Sequence, residues 1–456
     1  MKVSQLIEEI ESNPQLASLN VSFRGKKHQI YPWLKGRYFH KFVVGEESLA
    51  EKNTSLLFRQ ITSFFYGFFH LFKRYDAWGF SNVQERVLVD GKYFDKLYDG
   101  FNELKDYRIL LIELQLFKQY PRRKIYSKHI VSKAFFMLQE EVYQRLFLRK
   151  IHLENETILS EIEQKTGVTI DAKNAVRKYL AQYAVMRFWL RILKNPKLVF
   201  TTVSYSNFGY ILAFHERGIK VVELQHGVIS EGHQAYNYKQ TFEANAFPDA
   251  LAVWSKKEYS FLHEKTHFPT KTIFPIGRPI LEKYASLAIE STTLKTICVS
   301  LQDGPIGDRL INELLSFNER FPSQLQFQLQ CRRTTEATYR ERFDFPSNFD
   351  FFTGTIYENI AQSDLHITAF STSAIESLVI GKAVIFLDES GKAKEVFGDL
   401  IASNPYCSLV HNAEELKAFL SELTIPAKAD VQSASEDLNT PNYTLQLKKL
   451  IANLTA

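Results

Sequence analysis

In the stretch VVELQHGVISEGHQAYNY, residues 221–238, an apolar run stops at a histidine beside a glycine, and a loop of His, Glu, Asn and Tyr follows. Imidazole titrates near neutrality, so His226 at a strand end could take the proton from an attacking hydroxyl. Gly227 beside it allows a tight turn and close approach of a ligand. His226 could equally hydrogen-bond a phosphate or backbone group. Two carboxylates are rival bases, Glu231 in the same loop and Asp303 in SLQDGPIG. His233, Tyr236 and Tyr238 continue the loop, and their rings could stack on a sugar face or pack as ordinary loop anchors.

The second group lies in SDLHITAFSTSAIESLVIGKAVIFLD, residues 363–388. A strand, LHITAF, runs into Ser371-Thr372-Ser373, and a helix begins at once and closes at Gly381. Backbone N–H groups and the positive end of the helix dipole favour an anion there, and small hydroxyls add donors without blocking its approach. A diphosphate would fit. The alternative is a capping box, with Ser373 as N-cap and Glu376 reaching back; Thr355-Ile-Tyr-Glu358 shows the same pattern. Arg278, after Gly277 and the strand KTIFPI, could grip a phosphate bidentately or form a surface salt bridge. Cys331-Arg332-Arg333 offers a second such clamp. GPIGD has too few glycines in the right places for a dinucleotide fingerprint or a phosphate-binding P-loop.

These residues need elements to hold them. From residue 198 the sequence alternates KLVFTTV, a helical SNFGYILAFHERG, IKVVELQ, DALAVWS and KTIFPIG, and continuous Val, Ile and Leu runs separated by helices imply a parallel sheet buried on both faces. A second series starts afresh with KTICVSLQ and continues through QLQFQLQC, NFDFFTG, LHITAF, KAVIFLD and CSLVHN. Open sheets of this kind face ligands with the carboxyl ends of their strands, so His226, Asp303 and the Ser/Thr cluster fall where a cleft between two domains would place them. Before residue 190, ERVLVDGKYFD and RILLIEL read as strands, and two long stretches with apolar residues three and four apart read as helices covering a sheet. The boundary is set in RPILEKYASLAIESTTLK, giving domains 1–284 and 285–456.

A strand, then Ser/Thr-Ser-Ala-hydrophobic-Glu, then a small-residue helix ending in Gly-Lys-Ala and another buried strand resembles the donor-binding segment of GT-B glycosyltransferases. With the Gln-His-Gly loop, it is similar to bacterial enzymes that build capsule, lipopolysaccharide or teichoic acid polymers. The resemblance covers roughly residues 200–390. It implies an α/β, GT-B-like fold of two Rossmann-like domains with parallel sheets facing a central cleft and helical additions in the N-terminal half. On that likeness Ser371, Thr372 and Ser373 hold the phosphates of a nucleotide-sugar donor, Glu376 accepts from a ribose hydroxyl, and Thr355 with Gly354 lines the base pocket. His226 serves as base, and the acceptor is a growing surface polysaccharide or its lipid-linked precursor. The same architecture could transfer a polyol phosphate from a CDP-polyol or epimerise a UDP-sugar, and a non-catalytic carbohydrate-binding component is the remaining class. No cofactor or metal is implied: no Asp-x-Asp follows a strand, and the i, i+4 pair His263 and His267, in the stretch His-Glu-Lys-Thr-His, leaves a zinc site open but unsupported.

Length and composition agree with this reading. The 456 residues exceed what one core usually organises, and 45% hydrophobic content suits a packed interior. A net charge of +5 is mild and dispersed, which argues against nucleic acid, and three scattered cysteines suit a reducing cytoplasm. The N-terminus lacks the order of a secretory signal. SLLFRQITSFFYGFFHLFKRY, residues 55–75, is broken by Arg59 and Gln60 and falls short of a spanning helix. It suits a core-facing helix or an interfacial one, so peripheral contact with the inner face of the plasma membrane is a second location to test.

Overall fold

The computed structural model describes residues 3–44, 63–82, 85–114, 120–270, 272–332 and 334–455. The chain forms two compact units, one of residues 1–87, 91–277 and 443–456, the other of 88–90 and 278–442. Numbered along the chain, β1 (Asn20–Phe23), β2 (Lys26–Gln29) and β8 (Leu153–Glu154) make a small antiparallel sheet, and β4 (Arg86–Val89) pairs with β5 (Lys92–Asp95). ERVLVDGKYFD is therefore a hairpin and not one strand. Asp90 and Gly91 take positive φ values of 50° and 73°, the geometry an Asp-Gly turn favours.

The main sheet of the first unit contains β3 (Ala77–Asn82), β6 (Ile109–Leu114), β7 (Ile130–Ser132), β9 (Leu198–Thr201), β10 (Lys220–Leu224), β11 (Ala250–Val253) and β12 (Thr272–Pro275). Its order is β12-β11-β10-β9-β3-β6-β7, and every neighbouring pair is parallel. Alternate side chains go to opposite faces. Trp78, Phe80, Leu110, Val199 and Val221 pack into one apolar cluster, and Ala77, Leu111, Leu198, Phe200 and Val222 into another. Helices Ala172–Trp189 and Phe208–His215 contribute to the first cluster. Gly209 lets those two helices touch: a methyl group there would lie 2.3 Å from the Tyr179 carbonyl oxygen and 2.6 Å from Gln182 Cβ. Gly209→Ala is accordingly expected to cost about 2–3 kcal/mol, read as a lower urea midpoint. An unchanged midpoint would show that the helices can part without penalty.

The second unit carries β13 (Thr296–Ser300), β14 (Gln326–Gln330), β15 (Phe349–Phe351), β16 (Leu365–Thr368), β17 (Val384–Leu387) and β18 (Cys407–Val410), ordered β15-β14-β13-β16-β17-β18 and parallel throughout. Counted within each unit, the two orders are 3-2-1-4-5-6-7 and 3-2-1-4-5-6, the doubly wound pattern of nucleotide-binding sheets. Two Rossmann-like domains with helical additions in the N-terminal half are thus present. The chain crosses between the units at Gly277-Arg278, seven residues before the expected start of the second domain at 285. It also crosses back. Helix Tyr443–Thr455 belongs to the first unit because Tyr443, Leu447 and Leu450 bury their side chains in the cluster with Leu198, Phe200 and Val222.

The Phe-rich stretch is not one continuous helix. Residues 55–62 lie outside the described residues, and the remainder turns at Gly67, φ 73°, into the short 3₁₀ helix Phe68–Phe72. Among the described residues no helix is long and apolar enough to cross a membrane.

Candidate functional site

In the first unit, the strand order reverses between β3 and β9, and the carboxyl ends of β9 and β10 gather a polar cluster. Glu223, inside β10, is fully buried. Its Oε1 accepts from the Ser204 backbone N–H at 2.9 Å and from the Tyr236 hydroxyl at 3.0 Å, while Oε2 is buried with no hydrogen-bond partner among the described residues. Burial, partly offset by those donors, pushes its carboxyl up to about 7. Just before Ser204, Val203 sits at φ 53°, ψ 55°. A β-branched residue in the left-handed region is strained, and strain of this kind gathers at functional sites.

His226 follows β10 as expected. It is half-buried, its Nδ1 is enclosed without a hydrogen-bond partner among the described residues, and burial, aided by the charge of Lys96, holds its imidazole down to about 4. The ring is therefore neutral at physiological pH and keeps a lone pair to offer. Its centroid lies 6.3 Å from that of Tyr205 and 6.4 Å from that of His233. His233 is likewise held down to about 4 by burial and by His226, and its ring sits 4.8 Å from that of Tyr236. Four residues singled out in the sequence or adjoining it thus share one cluster: His226, His233, Tyr236 and Tyr205.

The rest of the loop is arranged differently. Glu231 is exposed, and its backbone carbonyl accepts from Asn237 Nδ2. Tyr236 and Tyr238 are both buried to 1% exposure. Tyr238 is enclosed by Phe242, Phe247 and Phe268, with Lys35 Nζ 3.9 Å above its ring. Stacking on a sugar is corrected to core packing for Tyr238 and to orienting Glu223 for Tyr236. His263 ends up inside helix Lys256–Glu264 and His267 beyond its end, so the two do not share a helical face.

A second polar network adjoins β3 and β6. Arg86 bonds Glu113 at 2.5 Å and lies 3.6 Å from Asp99, while Ser81 donates to Asp95 and Ser127 to Asp99. Burial and the neighbouring Asp95 push the Asp99 carboxyl up to about 7.

In the second unit, the reversal falls between β13 and β16, and both strands run into helix starts. Gly304, φ 73°, caps helix Pro305–Arg320, and Asp303 before it accepts from Thr334 N–H and Oγ1, each at 2.9 Å. After β16, helix Ser373–Ile380 begins with Thr372 at the N-cap position and no side-chain cap. The capping-box alternative at Ser373 therefore does not hold, whereas Thr355 and Glu358 do form one. Thr355 is consequently occupied in capping its own helix. Ser373 is also corrected. Its hydroxyl points into the sheet, 2.8 Å from Ser300 Oγ and 3.5 Å from His366 Nε2, whereas Ser371 is half-buried and Thr372 exposed. Burial holds His366 down to about 3, a neutral partner in this hydroxyl relay.

Arg278 and Glu376 come together as an ion pair with 3.7 Å between Nη1 and Oε1, and the Tyr357 hydroxyl reaches Glu376 at 3.5 Å. Arg278 is buried, so the surface-bridge alternative fails. Gly277, φ 77°, turns the chain immediately before it. Arg332 is exposed after β14, and Arg333 lies outside the described residues. Lys392, absent from the sequence reading, stands 5.5 Å from the ring of Phe370, next to Ser371. Among the described residues no group of three or more His, Cys, Asp or Glu is placed to hold a metal ion.

The residue that sequence reasoning missed is Glu223. Its signal was present as a lone carboxylate inside an otherwise apolar strand, VVEL, where burial without a function is costly.

No family model matches the chain, and neither does any curated protein. Solved structures with partial likeness include the glycosyltransferase SnogD from Streptomyces nogalater, 14% identical, covering 84% of this chain and 100% of its own with a TM-score of 0.47. The calicheamicin glycosyltransferase CalG4 is 10% identical over 84% and 98%, TM-score 0.48. A UDP-GlcNAc 2-epimerase from Neisseria meningitidis bound to UDP-GlcNAc is 11% identical over 83% and 98%, also at 0.48. The assignment of two Rossmann-like domains rests on strand order itself.

Proposed function

We propose that the protein is a glycosyltransferase that moves a sugar from a nucleotide-activated donor to a growing surface polysaccharide or its lipid-linked precursor. The observation that carries this reading is the clustering of His226, Tyr205, His233 and Tyr236 beyond the carboxyl end of β10, with the Tyr236 hydroxyl bonded to buried Glu223. The neutral imidazole of His226 keeps a lone pair for the proton of an acceptor hydroxyl as that oxygen attacks the anomeric carbon. The bond from that carbon to the donor phosphate breaks, the nucleoside diphosphate departs, and direct displacement inverts the anomeric configuration. Glu223, in the same buried cluster, favours the imidazolium that forms. In the second unit, Ser371 and Thr372 donate to the diphosphate, Lys392 adds positive charge, and Glu376, oriented by Arg278, accepts from the ribose hydroxyls. Asp303, already bonded to Thr334, shapes the same strand end and leaves proton transfer to His226.

Two measurements test the reading. In a thermal-shift series across CMP, UDP, GDP, CDP and dTDP, one nucleotide at about 100 times its dissociation constant is expected to add about 2.7 kcal/mol of stability, and Glu376→Ala to remove most of that gain. Mass analysis of incubations with nucleotide sugars and glycan acceptors should then find an acceptor heavier by one sugar. An acceptor carrying a polyol phosphate, an isomerised donor with no acceptor gain, or no reaction with any donor would each overturn it.

A further inference from the structure

The first unit carries an apolar groove of about 600 Å³ whose walls include Phe64, Leu138, Val142, Tyr143, Phe147 and Phe188. The groove continues into an aromatic chain. Phe64 touches Phe65 and Phe135 with centroids 4.8 and 5.1 Å apart, Phe68 lies 5.8 Å from Phe69, and Phe135 lies 4.9 Å from Trp189. Much of this surface faces solvent: Phe65 is 73% exposed, Phe69 80% and Phe147 68%. Contiguous apolar surface on this scale marks an interaction site in a soluble protein.

The charge around it identifies the partner. The segments that supply these walls, residues 63–75, 134–150 and 172–197, contain twelve Lys and Arg and only two carboxylates, Glu140 and Glu141; Arg187 pairs with Glu216 and Lys173 with Glu156 from neighbouring elements. Glu140 is buried, and Glu141 pairs with Arg145. Lys73, Arg74, Arg149, Lys150, Arg191 and Lys194 are exposed. The whole chain carries only +5, so the basic excess is concentrated here. Two copies meeting through this face would bring like charges together. We propose that this face docks on an anionic phospholipid bilayer, with phenylalanines entering the interface, basic side chains meeting headgroups and the groove receiving an acyl chain.

Cosedimentation with vesicles tests this without turnover, so its failure leaves the sugar-transfer reading standing. The full chain is expected to bind mixed phosphatidylcholine–phosphatidylglycerol vesicles at least about tenfold more tightly than pure phosphatidylcholine, with the difference shrinking at high salt. The exposed pair Phe65→Ser/Phe69→Ser should weaken binding about tenfold, and Arg191→Glu/Lys194→Glu should abolish the preference for anionic lipid. Both variants should keep the parent's melting temperature. Absence of binding to the mixed vesicles, binding that neither variant changes, or a dimer in light scattering that the Phe variants dissolve would overturn the proposal.

Discussion

Replacing His226 by alanine is expected to lower kcat/KM by about 10²- to 10⁴-fold, the range that loss of a positioned general base produces. The side chain is half-buried and makes no hydrogen bond through Nδ1, so removing it deletes few structural contacts. Nucleotide affinity, measured by thermal shift, should be unchanged, because the residues proposed to hold the donor lie in the other unit. A loss below about threefold, or a parallel loss of nucleotide binding, would transfer the proton to another group and remove the central residue of the mechanism.

Glu223→Gln should make the protein more stable at pH 8 and nearly inactive. Folded Glu223 keeps its proton up to about pH 7, whereas an ordinary glutamate releases it near 4.5. Between those values the folded state binds more protons than the unfolded one, so stability falls as pH rises through the window, by about 3 kcal/mol in total. Glutamine accepts the same two hydrogen bonds and cannot ionise, so that decline should vanish. The variant should match the parent at pH 4 and exceed it at pH 8. The activity profile carries the complementary sign: the parent's rate should fall as pH drops through about 7, when Glu223 takes a proton and ceases to favour the imidazolium, and the variant should lack that acidic limb. Equal melting temperatures for the two proteins at pH 8 would mean that Glu223 ionises without penalty. A gain in stability accompanied by a loss of activity is what a buried functional carboxylate predicts and a packing residue does not.

How far the sequence disclosed this architecture depended on the residues in question. The runs VVEL, TICVS, LHIT and VIFL announce buried parallel strands because Val, Ile and Leu on both faces leave no other use for them, and the polar residues where they stop are legible for the same reason. β3 was not legible. AWGFSN has few branched residues, since Gly79 faces the ring of Tyr98, where a methyl group would lie 2.6 Å from it. The direction of the Ser373 hydroxyl could not be read either, because it depends on His366 and Ser300 arriving beside it through the pairing of β13 with β16. The core role of Tyr238 depends on Phe242, Phe247 and Phe268, brought together only by tertiary structure. Local chemistry therefore located the strand tips, and long-range packing decided which side chains at those tips remain free to meet a ligand.

The return of Tyr443, Leu447 and Leu450 to the first unit has a consequence for biogenesis. While the ribosome is still translating the second domain, the nascent first domain lacks part of its cover and presents a greasy sheet face to solvent. A chaperone holding that face, or a pause that lets the second domain mature first, would protect it until the returning helix emerges.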